Sequence, residues 1–190
     1  MDTEKKNTRK RIGGAKGTYF NPEEIAALLA AARAHSVRDW LLILVTVNHG
    51  LRASEAVGLT PEDIRDGCLW VKRLKDSART CQPLIGDERE PLLALAATTA
   101  PGEPLFPITR MQFWRIMRAT CDRAGLNPVA AHPHSLKHSM CRAVLAKTGN
   151  LRAVQVIAGH SSITSTLEYT KLTDAEACAA AREALNWETQ

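Results

Sequence analysis

Four short stretches of this chain place charged and hydrogen-bonding side chains at spacings that could act on an anionic substrate. In Gly50-Leu51-Arg52-Ala53-Ser54-Glu55, the acid stands one helical turn from the arginine. It can orient the guanidinium for a ligand or simply pair with it. In His134-Ser135-Leu136-Lys137-His138, two imidazoles flank a lysine. Gly159-His160-Ser161-Ser162 is followed by Thr166, Tyr169 and Thr170. Val71-Lys72-Arg73-Leu74-Lys75 supplies further cations ahead of Gln82-Pro83-Leu84. Arginine offers a planar fork of donors and lysine a point charge, the two usual grips on a phosphate. Histidine moves protons near neutral pH, and a phenol can serve as an oxygen nucleophile. Each residue also has an ordinary use. Tyr169 taken alone reads as an amphipathic tyrosine at the edge of a core, and the lysines of a polar turn are commonly just solvated. His132, His134 and His138 suggest zinc, yet no carboxylate or cysteine is suitably spaced beside them. His49 reads as structural and His35 as a surface residue.

The elements that must hold these residues are mostly helical. Asn21-Pro22-Glu23-Glu24 is a helix start, and helices are expected over about 22–34 and 37–48. The apolar run from Trp40 to Val45, continued by Val47, marks the second of these as buried. Gly50 ends it, a short helix follows from Arg52 to Val57, and Thr60-Pro61-Glu62-Asp63 reads as a capped turn. Cys68 to Lys72 and Thr80 to Leu84 are β-prone runs around a polar tip, a hairpin. Asp87 is expected to cap a helix reaching about Ala97, and 98–107 is a Pro/Gly-rich loop. Further helices are expected over about 109–124, 134–148, 151–158 and 173–186. The fold class is therefore mainly α with a small antiparallel β-sheet, without internal repeats.

Composition bounds the rest. With 190 residues, 45% hydrophobic and 24% charged, the chain has the make-up of one soluble globular domain. Neither a membrane-length apolar run nor a secretory signal is visible, which points to a cytoplasmic protein. Five scattered cysteines without a C-x-x-C pair suggest reduced, half-buried space fillers. Of the net charge of +5, residues 1–20 carry +4 through Lys5, Lys6, Arg9, Lys10, Arg11 and Lys16 against Asp2 and Glu4. Residues 1–17 thus read as a basic flexible arm able to track phosphates, and 18–190 as a single domain.

Taken together and in this order, the four stretches resemble the catalytic domain of the tyrosine recombinases, the phage integrase family, over roughly residues 18–175. Gly50 to Glu55 is similar to the family's first arginine motif. His134 to His138 is similar to its H-x-L-R-H segment, with lysine in place of arginine. Gly159 to Tyr169 resembles its G-H-x₈-Y segment. The resemblance implies the tyrosine recombinase catalytic-domain fold and a site-specific recombinase that cuts and rejoins DNA through a 3′-phosphotyrosyl intermediate, without ATP, metal or cofactor. Integration, excision or inversion of a DNA segment would be the outcome, in a mobile-element setting of bacterial, phage or plasmid origin.

By that resemblance Tyr169 is the nucleophile, while Arg52, Lys137 and His160 engage the phosphate. Lys75 is the general acid for the leaving 5′ oxygen, and His134 assists with proton transfer. Glu55 supports Arg52, and Lys72 and Arg73 join the basic arm in binding DNA. The implied partner is double-stranded DNA carrying short inverted sites. A homotetramer is implied on DNA, and a monomer or weak dimer off it, without any membrane role.

Two departures matter. Lysine at 137 cannot reproduce a bidentate arginine grip, and one lost charge-assisted hydrogen bond costs roughly 1.5–3 kcal/mol, or about 10- to 150-fold in rate. Arg142, one turn beyond His138, is a candidate to compensate. The chain also carries only its basic arm where most relatives have an N-terminal DNA-clamping domain, so it resembles the short fimbrial phase-variation recombinases. A catalytically weak or inactive DNA-binding regulator on the same fold is the alternative reading. A relaxing activity of the type IB topoisomerase kind is a third. The Ala-rich helix over 173–186 resembles the element that relatives dock onto a neighbouring protomer, and packing on its own domain is the other use of such a helix.

Overall fold

The computed structural model describes residues 19–73, 80–160 and 164–167. The chain enters through Phe20, whose backbone N–H donates to Ser139 Oγ at 2.8 Å. Helix α1, Pro22–His35, is opened by a reciprocal cap: Asn21 Oδ1 accepts from the Glu24 N–H, and Glu24 Oε2 accepts from the Asn21 N–H. That arrangement satisfies two backbone donors that a helix start leaves orphaned. Ser36 ends α1 and caps α2, Val37–His49. Every residue of α2 from Asp39 to Val47 is buried, as its apolar run predicts. The helix is packed by α1 and by α6, Pro133–Thr148, so it forms the spine of the domain. Leu28, Ile43, Leu51, Leu69, Phe113 and Leu136 are fully enclosed in the one core built around it. Truncating such a leucine to alanine costs about 2–5 kcal/mol.

Helix α3, Ala53–Val57, and a 3-10 turn over Pro61–Asp63 lead into a three-stranded antiparallel sheet. Its strands are β1, Ile64–Arg65, β2, Cys68–Val71, and β3, Thr80–Pro83, in that spatial order. Leu69 lies opposite Ile64 on one side and Gln82 on the other, and Val71 opposite Thr80. The β2–β3 pair is the expected hairpin. β1 is an addition to the expected sheet: Asp66 and Gly67 both take positive φ, 55° and 70°, and form the two-residue turn that joins β1 to β2.

Helix α4, Arg89–Thr98, is followed by the 98–107 loop and by α5, Arg110–Arg123, which Thr109 caps. After α6 come α7, Leu151–Ala158, and the four-residue α8, Thr164–Leu167. Asp87 does not cap α4. It is exposed in a 3-10 turn over Gly86–Glu88, and Glu88 beside it is fully buried, with its carboxylate turned inward. Cys121 and Cys141 are more deeply buried than expected, whereas Cys81 is exposed. No helix among the described residues is long and apolar enough to cross a membrane.

Candidate active site

The site is assembled where α2, α6 and α7 end or pass beside the base of the hairpin. Arg52 occupies the cap position of α3. Its backbone N–H donates to Glu55 Oε2 and its Nη1 to Glu55 Oε1, both at 2.8 Å. Glu55 Oε2 also accepts from Arg73 Nη1 at 3.0 Å. Burial alone would raise the Glu55 carboxyl. The Arg52 N–H, the Arg73 charge and the Arg52 side chain outweigh it and hold the group below the usual carboxylate range. The acid is thus a fixed anion between two guanidiniums. Arg52 keeps about a third of its side chain exposed (30%), whereas Arg73 is fully enclosed (0%).

Two glycines make this convergence sterically feasible. Gly50 caps α2 at φ 55°, and a Cβ there would lie 2.1 Å from Met140 Cε. Helix α6 therefore passes directly over the turn that launches Arg52, with the stem of Lys137 beside it. Gly159 caps α7 at φ 63°, and a Cβ there would sit 2.7 Å from Arg73 Nε. Both positions take a left-handed backbone, and at Gly159 the guanidinium stem of Arg73 also leaves no room for a side chain, which glycine accommodates at no cost.

Lys137 is buried on α6, and its Nζ donates to the Ala158 carbonyl at the end of α7. Burial, then the neighbouring Arg73 and Arg52 charges, pull its ammonium down to about 8, against the opposing pull of Glu55. His160 follows Gly159, with Nδ1 3.0 Å from Thr166 Oγ1. Burial, then Lys137, Arg52 and Arg73, push it down to about 4, so the ring is neutral at physiological pH. A Thr166 hydroxyl donating to Nδ1 selects the tautomer that carries its proton on Nε2. His134 is lowered by burial and then by Lys137, His132 and Arg52. His134 is exposed on α6 and packs edge-on against His138, with ring centroids 4.3 Å apart. His138 is pushed down to about 4, chiefly by burial. His132 is also lowered by burial, and its ring accepts from the Ser135 N–H as the cap of α6. Arg52, Glu55, Lys137, His160 and His134, scattered over more than a hundred positions of sequence, are therefore brought into one electrostatic neighbourhood.

Several expectations change. Arg73, placed on DNA with Lys72 by the sequence reading, is buried inside the protein. Its Nη1 donates to the Gly50 carbonyl and Glu55, and its Nη2 to the carbonyls of His49 and Ile157. Burying an unpaired guanidinium would be costly, and these four acceptors explain why it is tolerated. Lys72 is exposed. Arg142 does not supplement Lys137: its guanidinium stacks over the Tyr19 ring at 4.4 Å. Tyr169, Lys75, the arm lysines and arginines (Lys5, Lys6, Arg9, Lys10, Arg11, Lys16) and the 173–186 helix lie outside the described residues.

Sequence reasoning passed over two features. Gln82 and the buried Glu88 belong to the polar framework behind the site. Helix α5 exposes Arg110, Arg115, Arg118 and Arg123, with Arg118 stacked on the half-exposed Trp114. The signal for α5 was legible: four arginines fall in Arg110–Arg123 before and after the single acid Asp122.

The model of the phage integrase family matches residues 18–176. The type 1 fimbriae regulatory protein FimB of Escherichia coli K12 is 33% identical over 178 residues, covering 85% of this chain and 88% of that protein. FimE of the same strain is 32% identical over 191 residues, covering 92% of each. Tyrosine recombinase XerD of Xanthomonas axonopodis pv. citri is 34% identical over 172 residues, 77% of this chain and 56% of that one. Among solved structures, the XerH site-specific recombinase bound to its difH substrate superposes with a TM-score of 0.72 at 24% identity. That match covers 90% of this chain and 55% of XerH, so the chain spans about half that protein. The catalytic domain of bacteriophage HP1 integrase superposes with a TM-score of 0.64 at 22% identity, covering 91% of this chain and 99% of that domain. At these identities the two structural matches speak to the fold.

Proposed function

The chain belongs to the phage integrase family and has the tyrosine recombinase catalytic-domain fold, and from that premise we propose that it cuts and rejoins DNA at specific sites through a 3′-phosphotyrosyl intermediate. The observation that carries this reading is the convergence of Arg52, Lys137 and His160 beside the Gly50 and Gly159 turns, backed by the buried Glu55–Arg73 pair.

A phosphodiester repels nucleophiles through its negative charge, so cleavage needs cations and donors at the non-bridging oxygens. Arg52 supplies a fork, Lys137 a charge and His160 an Nε2–H. The Tyr169 oxygen attacks phosphorus, and its proton passes to His134, which is neutral and can accept it. The bond to the 5′ oxygen breaks, and Lys75 protonates that oxygen as it leaves. The reverse attack by the 5′ hydroxyl of a partner strand restores the phosphodiester and frees the tyrosine, so the stored bond makes ATP unnecessary. Double-stranded DNA with short inverted sites, acted on by a tetramer of this chain, is the assembly this chemistry fits. The relatives FimB and XerD are bacterial, which supports a cytoplasmic setting of bacterial, phage or plasmid origin.

One observation favours the second reading, a DNA-binding regulator on the same fold: Lys137 is buried and already bonded to the Ala158 carbonyl. A nicked suicide substrate separates the two. Wild type should accumulate covalent protein–DNA adduct, Tyr169→Phe none, and Lys137→Ala at least tenfold less per unit time. Absence of adduct with wild type, while DNA is still bound, would establish the regulator instead. Exchange between two marked duplexes distinguishes recombination from simple relaxation.

A further inference from the structure

Behind the site, Glu88, His49 and Gln82 form a continuous buried chain of hydrogen bonds that the catalytic scheme does not use. Glu88 Oε1 faces His49 Nε2 at 2.8 Å and accepts from the Ile85 N–H at 2.9 Å, while Oε2 accepts from Asn48 Nδ2 at 2.8 Å. On the other edge of the ring, His49 Nδ1 lies 3.0 Å from Gln82 Oε1. The Gln82 amide nitrogen then donates to the Ile157 carbonyl at 3.1 Å, to Thr80 Oγ1 at 3.3 Å and, more weakly, to the His49 carbonyl at 3.4 Å.

Counting donors decides where the protons are. Turning the Gln82 amide over would aim its oxygen at two carbonyl oxygens, leaving acceptors against acceptors, so its oxygen must face the ring. An oxygen facing Nδ1 requires Nδ1–H, and Nε2 carries a proton as well when Glu88 is a carboxylate, the form that its two N–H donors favour. We infer that His49 is held as a buried imidazolium between Glu88 and Gln82, and that this strut positions both ends of the phosphate cradle.

The positioning follows from what the strut touches. His49 is the last residue of α2, directly before the Gly50 turn that launches Arg52. Ile157 is in the last turn of α7, ahead of Gly159 and His160. Gln82 lies in β3, paired with Leu69 of β2. Arg73, two residues past the end of β2, binds the same two carbonyls, His49 and Ile157. The ends of α2 and α7 are thus pinned to each other by two side chains, one drawing its orientation from Glu55 and the other from His49 and Glu88. His49 and Glu88 are respectively 1% and 0% exposed, and Glu88 and Arg73 are the charged groups bonded to His49. A buried ion pair is a poor source of stability compared with apolar packing, which is consistent with its retention for geometry.

The positioning role rests on the reading of Arg52 and His160 as phosphate ligands; the charge on His49 does not. Ring-nitrogen resonances of the ¹⁵N-labelled full chain, assigned through loss of the His49 signals in His49→Gln, read that charge directly. Both nitrogens should carry a proton at neutral pH, as the hydrogen-bond partners require. A bare nitrogen on His49 at that pH would overturn the imidazolium. For positioning, Gln82→Met keeps the His49–Glu88 pair and removes the amide's bonds to the His49 ring, Thr80 and Ile157. Cleavage of nicked DNA at saturating substrate should slow about five- to tenfold while DNA affinity stays within about twofold. Glu88→Gln should do the same and strip one proton from His49. Unchanged saturating cleavage in Gln82→Met, or a parallel loss of binding and cleavage with a lowered Tm, would overturn the positioning role. If wild type forms no adduct, the recombinase reading fails, and the resonances still decide the strut.

Discussion

At Lys137 two demands oppose each other. The proposed phosphate contact needs an ammonium, while the interior around α6, with Arg73 and Arg52 nearby, favours the neutral amine and draws the group down to about 8. In the free enzyme the charged fraction therefore falls as pH rises through about 8, and kcat/KM for cleavage should fall with it. Lys137→Arg should abolish that limb of the profile, because a guanidinium stays charged throughout. Stability runs the other way. The folded value lies below the unfolded one, so between about 8 and 10.4 the unfolded chain binds more protons and stability rises with pH. Lys137→Met should accordingly unfold at higher urea than wild type at pH 7, by about 1–3 kcal/mol, with the gap narrowing towards pH 10. A gap that stays constant over that range would show that the ammonium is not destabilised by its surroundings.

Between elements, the geometry is set by helix ends. The α2 and α7 C-termini present carbonyls that a helix leaves without partners, and Arg73, Gln82 and Lys137 donate to them. The site residues Arg52 and His160 are thereby aimed by backbone, not by loose loops. Helix α5, which packs on α1, α3 and α6, contributes a different surface. Its exposed Arg110, Arg115 and Arg118 are suited to DNA phosphates, and Thr109 caps the helix with Gln112. Replacing Arg110 and Arg115 together with alanine should weaken DNA binding at low salt and lower the slope of log K against log salt by about two. It should leave saturating cleavage nearly unchanged. An unaltered salt slope would take α5 off the DNA.

At the scale of the molecule, the described domain holds the proposed phosphate site, and residues 1–17 are a further reserve of positive charge. Removing residues 1–17, which include six of the 25 lysines and arginines, should weaken DNA binding and flatten its salt dependence, measured by titration at several salt concentrations. Equal affinity at every concentration would show that the arm is only a solvated tail. The truncation should change affinity and leave the fold intact, because Phe20 and the Asn21–Glu24 cap already anchor the start of α1.

The amino-acid order alone determined the described helices, the Asn21 cap, the Gly50 stop, the buried α2 and the hairpin, though not the start of α4, because periodicity, capping chemistry and turn residues act within a few positions of each other. It also marked Arg52, Glu55, His134, Lys137 and His160 through local motifs. The tertiary structure decided which cations face inward. Arg73 and Lys72 are neighbours in sequence, yet only packing against the ends of α2 and α7 buries the first and leaves the second exposed. The Glu88–His49–Gln82 chain was illegible for the same reason. His49 lies 33 and 39 residues from Gln82 and Glu88, and a buried hydrogen bond between distant positions leaves no periodic trace in the sequence.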